Sequence, residues 1–447
     1  MTFVRNRPHP ILYGIVITFL LIPIWYRLPR SPFLSPLYVT RFLILLPVVW
    51  TIGVWLLTGV PGLREFLRDK RRVGWGLALL LLGLVAYCSQ SWAFMRQQHP
   101  EVAATAALQF TLVVLFAFVV ACSKVPARAL IAALAFGVLW NALLTFAQTA
   151  NQGSIGLNMF GEFGMTANSS GASVVVSGDL RWLRPYGLLP HPNVLAGFFV
   201  VGLLATISWI TSPNRRLRWS GTALFLLGLW ALLLTFSRGA WLGLAAAVFA
   251  LYPLIRRHLN GVWRHIFITA GLIVAMGIAF VILYRPLLSA RAGEGSENVE
   301  LRSISDRTVY TYYALEAVYE NPLLGVGIGN FPWRSSYYLW TTDFDLRGDN
   351  VHHVMLSAMA ELGVVGFTLL TAALVFGVEA ALHTLRSADD ARERACLLAG
   401  VLALGVIGLL DHYPWTMLHM QLAWWGLLAA ALRSPTTEPL PQIPDSA

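Results

Sequence analysis

Residues Asp349 to Phe367 read DNVHHVMLSAMAELGVVGF, two adjacent histidines at the head of a segment apolar enough to enter a membrane. Histidine is costly in hydrocarbon and titrates near neutral pH. The question is whether the rest of the chain is built for that solvent. It is: of 447 residues, 57% are hydrophobic and only 12% charged, with a mean hydropathy of +0.64. A soluble domain carries about twice that charged fraction. The composition therefore predicts an all-α polytopic membrane protein of about twelve spans, each near 20 residues. They begin near Pro10, Tyr38, Val73, Ala103, Pro126, Val194, Ser220, Arg238, Ile266, His352, Ala395 and Trp415. The first apolar run, Ile11 to Trp25, lacks a small-residue cleavage site, so no signal peptide is expected.

The net charge of +10 would point to nucleic acid in a soluble protein. In a membrane protein its distribution decides, and no nucleic-acid partner is expected. Placing the N-terminus inside puts 19 of the 32 Lys and Arg residues, from Arg5 and Arg7 to Arg433, into short inner loops. Both termini are then cytoplasmic. Residues 1–433 read as one transmembrane domain, and the Pro-rich 434–447 as a disordered tail. The short links at Thr235–Ser237 and Asp411–Trp415 predict antiparallel neighbours.

Two connections are too long to be turns, 151–191 and 285–350, and both fall outside. The first is rich in Gly, Ser and Asn and is expected to fold against the membrane surface. In the second, Val309, Tyr312, Tyr313, Leu315 and Val318 are spaced for an amphipathic helix, capped by Ser305 or Asp306 and ended by Asn321-Pro322. The glycines of NPLLGVGIGNF then form a tight apolar turn.

Polar groups crowd the outer ends of spans. In LTFSRGAWLGL, Arg238 stands in a first helical turn with Ser237 as candidate cap, where backbone N–H groups and the dipole favour anions; the bland reading is a snorkelling anchor. In RWLRPYGLLPHPNVLAGFF, His191-Pro192-Asn193 suits a helix start, while Arg181 and Arg184 approach the same face. Arg184 with Arg238 is expected to make a two-pronged phosphate or pyrophosphate clamp. His352 is the candidate general base. His353 reads as part of the helix start or a support, with Asp349 or Asn350 as cap, and Glu361 as a structural contact. Cys88, Cys122 and Cys396 show no pairing or metal spacing, and no cluster of His and carboxylates converges in the sequence. No metal and no cofactor are expected.

Four stretches in order, RPYGLLPHPNVLAG, TFSRGAWLGL, NPLLGVGIGNF and HHVMLSAMAELGVVGF, resemble the O-antigen ligases of the lipopolysaccharide pathway. That superfamily includes O-antigen polymerases and protein O-oligosaccharyltransferases, and these motifs separate its branches weakly. The resemblance implies a GT-C-like glycosyltransferase of the bacterial inner membrane with its active site toward the periplasm. The donor would be polysaccharide on undecaprenyl pyrophosphate; the acceptor would be a sugar hydroxyl of lipid A–core, with membrane lipids around both. It carries pyrophosphate binding onto Arg184 and Arg238 and the base onto His352. Arg307, in SDRTVYTYYALEAV, matches a recurrent arginine. The family often has Asn after its histidine, and here that place is His353. Such transfer is expected to invert the anomeric centre without a metal. The reading outside enzymes is a polysaccharide transporter or flippase, which would carry charge near mid-membrane rather than at the rim.

Overall fold

The computed structural model describes residues 10–26, 42–95, 100–294, 297–340 and 349–434. Arg5, Arg7, the expected span start at Tyr38 and the tail beyond Ser434 lie outside the described residues. The chain is a helical bundle. Its helices are α1 (Pro10–Leu21), α2 (Leu45–Leu57), α3 (Leu63–Phe66), α4 (Lys70–Met95), α5 (Pro100–Cys122) and α6 (Ala127–Asn151). After them come α7 (Pro192–Ile210), α8 (Arg215–Leu234), α9 (Arg238–Ile255), α10 (Trp263–Leu283), α11 (Arg285–Ser289) and α12 (Glu297–Glu320). The chain ends with α13 (Phe331–Trp340), α14 (Val354–Thr384), α15 (Ala391–Gly408), α16 (Tyr413–Thr416) and α17 (Leu418–Leu432).

Among the described residues, eight helices are long and apolar enough to cross a membrane: α4 to α10 and α14. Three apolar helices, α1, α2 and α17, are shorter, and α15 is an 18-residue helix with Arg392, Glu393 and Arg394 in its first turn. This is a polytopic helical membrane protein. α17 is apolar but for His419 and Gln421, and every one of its residues is buried, which places it at the centre of the bundle. α10 is the reverse case, with only 11% of its apolar stretch covered by protein.

The all-α expectation misses one element. The outer connection 151–191 carries a two-stranded antiparallel hairpin, β1 (Val174–Ser177) and β2 (Leu180–Leu183), turning at Gly178-Asp179 with Gly178 at φ 58°. Its alternation is only four residues a strand, too short to stand out from a polar loop. The connection is tied to the bundle by Gln148, whose Oε1 accepts from the amides of Tyr186 and Gly187 while its Nε2 donates to Glu162.

Three further expectations are corrected. Helix α12 begins at Glu297, so Ser305 and Asp306 lie inside it rather than at its start. Its buried stripe is Tyr310, Tyr313, Ala314 and Ala317, whereas Tyr312 and Leu315 point outward; the partner surface selected small residues where periodicity favoured large ones. Finally, α8 and α9 meet only near their three-residue link, where Trp241 Nε1 donates to Leu232 O at 3.4 Å, and do not pack along their length. α8 lies on α6, α7 and α10, and α9 on α7 and α15. The link turns at Phe236, a fully buried residue held at φ 50°, a left-handed conformation that costs a non-glycine residue free energy.

The helix that opens at the paired histidines is broken. Gly363 sits at φ 66°, ψ −168° inside α14, the tenth residue of the helix and about 14 Å from its start. The backbone groups freed there are satisfied by the Gly-rich turn, which enters the gap. Val364 N donates to Pro322 O at 2.8 Å, Val326 N to Ala360 O at 3.0 Å and Gly327 N to Glu361 O at 2.8 Å. Ile328 N is further held by Ser89 Oγ on α4 at 3.0 Å. Non-helical backbone at membrane depth survives only when protein covers it, and here each motif supplies the other's missing partners.

Basic residues of the expected inner loops meet at one end of the bundle. Arg394 donates to Asp390 and to the carbonyl of Arg433, Arg433 to Asp390, and Arg72 to Ser434.

Candidate active site

A polar cavity of about 290 Å³ lies between the first turn of α9, the end of α15 and α12. Its wall includes Asn193, Ser237, Arg238, Arg291, Arg307, Asp411 and Tyr413. Three guanidinium groups face one carboxylate, so the space is net cationic. Arg238 reaches it because α9 begins there; Ser237 occupies the N-cap position but makes no capping bond, so the first-turn amides are not answered by its side chain. Arg238 Nη1 donates to the carbonyl of Arg291 at 2.7 Å, and Arg291 Nη2 to that of Phe236 at 3.2 Å. Arg291 was missed in the sequence because it lies in the π-helical turn Ala290–Glu294, inside an apparently loose polar stretch.

Arg184 is placed differently from the expectation. It is 4% exposed and spent on protein: Nε donates to Thr235 O at 2.6 Å, Nη1 to Ser173 Oγ at 2.8 Å and Nη2 to Asn193 Oδ1 at 2.6 Å. It binds the hairpin, the α8–α9 link and the start of α7 into one piece behind the cavity. Arg181, on the exposed hairpin, donates to the carbonyl of Ala167 and does not line the cavity.

Asn193 passes the contact on, its Nδ2 donating to Asp411 Oδ2 at 2.7 Å. Asp411 stands in the link between α15 and α16, one residue before His412, whose amide donates to Oδ1 at 2.9 Å. Around Asp411 the structure assembles what the sequence did not show. Ligand atoms of His352, Asp411 and His412 lie within 4.8 Å of one another, correcting the expectation that no histidines and carboxylate converge. His352 and His412 meet edge to face at 5.3 Å between ring centres. Asp411 escaped notice because 59 residues separate it from His352; only the packing of α14 and α15 joins them.

The two histidines of the opening stretch separate cleanly. His353 is the N-cap of α14, its Nδ1 accepting from the amide of Leu356 at 3.3 Å; neither Asp349 nor Asn350 caps it. His352 turns toward Asp411, and its Nδ1 is buried with no hydrogen-bond partner among the described residues. Burial pushes the His352 pKa down, Asp411 opposes that, and His412 and Arg307 add to it. The ring is therefore held in its neutral, proton-accepting form. His191 caps α7 through Nδ1, accepting from the amide of Asn193 at 3.1 Å; burial, then Arg184, pushes it down to about 3. For Asp411, burial acts upward, but the three imidazoles outweigh it and the pKa falls below the usual carboxylate value. Glu361 is buried on α14, accepts from Trp415 Nε1 at 2.9 Å and sits beside the amides of Gly329 and Phe331. It ties α16 and the Gly-rich turn to α14 and does not line the cavity.

No curated protein matches the chain. Among solved structures, a chain described under "Structural coordination of polymerization and crosslinking by a peptidoglycan synthase complex" aligns over 82% of this chain and 98% of its own, at 16% identity and TM-score 0.40. At that score nothing is carried over from it. The family model Wzy_C, O-Antigen ligase, matches residues 222–371. That range holds Arg238, Arg291, Arg307, His352 and Glu361, and leaves out Arg184, Asn193, Asp411 and His412. Over that range the chain is similar to the O-antigen ligases that the model describes.

Proposed function

We propose that the protein is an O-antigen ligase, transferring polysaccharide from undecaprenyl pyrophosphate to a sugar hydroxyl of lipid A–core at the periplasmic face of the inner membrane. The observation that carries this reading is the juxtaposition of a cationic cavity with a neutral, half-buried histidine beside it. The donor diphosphate sits among Arg238, Arg291 and Arg307. The acceptor hydroxyl oxygen attacks the anomeric carbon from the face opposite the diphosphate and inverts it. As that bond forms, the bond to the diphosphate oxygen breaks, and the leaving group keeps the electron pair. Fixed guanidinium groups stabilise the charge that develops there. The hydroxyl proton passes to His352, and Asp411 stabilises the imidazolium as the carboxylate of a triad does.

Arg184 is a positioning residue in this reading, holding Asn193 and through it Asp411. The donor set His352, Asp411 and His412 has metal-binding chemistry. However, Asp411 is already engaged by Asn193 and the His412 amide, His412 Nδ1 lies 2.7 Å from Thr416 Oγ1, and Arg307 faces His352. We therefore assign the trio to proton transfer and the reaction to a metal-independent course.

The test uses purified protein, undecaprenyl-pyrophosphate polysaccharide and lipid A–core in EDTA, with His352→Ala alongside. A mobility shift of lipid A–core by the wild type, absent with the variant, is expected. Lengthening of the donor chains without transfer to lipid A–core makes the protein a polymerase. Complete loss of wild-type transfer in EDTA, or a retained anomeric configuration, overturns the mechanism.

A further inference from the structure

At the end of the bundle that the positive-inside rule assigns to the cytoplasm, the arginines fall into two sets. Those of α4, α15 and the end of α17 are neutralised by protein. Arg71 pairs with Glu379 on α14, Arg72 with Asp69, Arg392 with Glu393, and Arg394 and Arg433 with Asp390. The second set, at the inner ends of α8, α9 and α10, is not. Arg215, Arg216, Arg256, Arg257 and Arg264 are all exposed. Among the described residues none of these five has an ion pair or a side-chain hydrogen bond. Residues 180–293 contain no Asp or Glu, so the three helices offer no counter-charge of their own. On α15, which packs on α9, Asp390 and Glu393 are already paired and Asp389 is left.

Packing gathers the three ends. α8 and α10 meet through Thr222 Oγ1, which lies 2.9 Å from His265 Nε2 and 3.0 Å from Thr269 Oγ1, with Trp219 edge-on to His265 at 4.7 Å. α9 joins them there: Ile255 and Leu259, on either side of Arg256 and Arg257, wall the same apolar space as Trp263 and Thr269. Like charges so gathered repel one another and weaken the compact state. The positive-inside rule accounts for basic residues at this end. It does not account for the exclusion of acids, since the loops before α4 and α15 carry Glu65, Asp69, Asp389 and Asp390. The surroundings of the five face lipid. Trp219, Tyr252 and Trp263 are exposed beside them and lead onto the uncovered face of α10 at Phe267 and Ile268. Charge, then aromatic rings, then apolar surface is the order of headgroup, interface and hydrocarbon. A soluble acidic partner would leave those rings in water.

We infer that the inner ends of α8, α9 and α10 form a binding site for the headgroup of an anionic phospholipid, which bridges the three helices. Its phosphate supplies the counter-charge that the sequence withholds. It also fastens α10, of the candidate spans the one least covered by protein. The site lies at the opposite end of the bundle from the cationic cavity and does not depend on the reaction proposed for that cavity.

The test is thermal unfolding of the purified full-length protein in a neutral detergent, with phosphatidylglycerol or phosphatidylcholine added at equal mole fraction. Phosphatidylglycerol is expected to raise the wild-type midpoint about 4 °C above phosphatidylcholine. An arginine near an anionic surface strengthens association about fivefold, so Arg256→Gln/Arg257→Gln/Arg264→Gln weakens lipid binding about 100-fold and shrinks the difference to about 1 °C. In detergent alone this variant should unfold at or above the wild-type midpoint, because repulsion is relieved and no protein contact is lost. Arg64→Gln/Arg68→Gln/Lys70→Gln removes three exposed charges elsewhere at the same end and should keep the full difference. Phosphatidylglycerol carried through purification, measured per protein, should fall in the first variant and not in the second. Equal loss in both variants, or a wild type that does not distinguish the two lipids, overturns the inference. Equal stabilisation by inorganic phosphate or by polyglutamate, lost in the first variant, means that a soluble anion or an acidic protein segment fits as well, and overturns the assignment to lipid.

Discussion

At the scale of single residues, the arginines divide by what their guanidinium groups already touch. Arg184 makes three hydrogen bonds to protein from a 4% exposed position. A lysine cannot reproduce that planar fork. Losing two such charge-assisted bonds in a buried setting costs about 3–6 kcal/mol. Arg184→Lys is therefore expected to lower the unfolding temperature in detergent sharply. Arg238→Lys, at an exposed bond to a carbonyl, leaves stability nearly unchanged and raises KM for the donor. Equal thermal shifts for the two variants would return Arg184 to the cavity.

The pH profile belongs to this scale too. The pKa of His352 lies below its ordinary 6.5, first through burial. Its base form thus persists as pH falls through the ordinary value, and kcat should decline only at lower pH. Removing the charge of Asp411 by Asp411→Asn takes away the group that opposes this depression, so the acid limb moves to still lower pH. The imidazolium also loses its partner, and kcat drops about 100-fold. A limb that moves upward instead would refute this coupling.

At the scale of elements, the broken helix and the Gly-rich turn are one device. A Cβ on Gly363, at φ 66°, would lie 2.2 Å from the backbone of Leu323, and one on Gly325, at φ 65°, 2.3 Å from that of Glu361. Neither contact is with a side chain that could swing away. Gly363→Ala and Gly325→Ala are therefore expected to destabilise by more than the roughly 1 kcal/mol of a positive φ alone. Gly156→Ala, at φ 88° with nothing within 4 Å, pays only that smaller cost. Thermal unfolding of the three variants in one detergent separates the cases, and equal shifts would mean the turn does not enter the gap.

The same pair shows what a sequence can and cannot tell. The starts of α7, α9 and α14 were readable because caps, Pro192 and apolar runs are local signals. His352 and Arg238 were readable as polar groups that hydrocarbon tolerates only for a reason. The mating of residues 322–327 with 360–365, the inward role of Arg184 and the arrival of Asp411 beside His352 are long-range packing results. No periodicity carries them. Tyr312 and Leu315 were misplaced for the same reason, since the face a helix buries is chosen by its partner.

At the scale of the whole molecule, the bundle has two chemically different ends. One gathers Arg72, Asp390, Arg394, Arg433 and Ser434; the other gathers the cationic cavity, the histidines and the hairpin. The positive-inside rule assigns the first to the cytoplasm, because lysine and arginine in short loops resist translocation. The hairpin tip at Asp179 and the α14–α15 link at Asp389 are both exposed, and on this assignment they lie on opposite sides. Of the native cysteines only Cys88 is exposed, so Cys88→Ser gives a quiet background. In intact cells whose outer membrane has been made permeable, Asp179→Cys should react with a membrane-impermeant maleimide at once. Asp389→Cys should react only after the inner membrane is opened. The reverse pattern would put the cavity in the cytoplasm, where an acceptor on the periplasmic leaflet could not reach His352. The proposed ligase reaction would then fail on geometry, whatever the arginines bind.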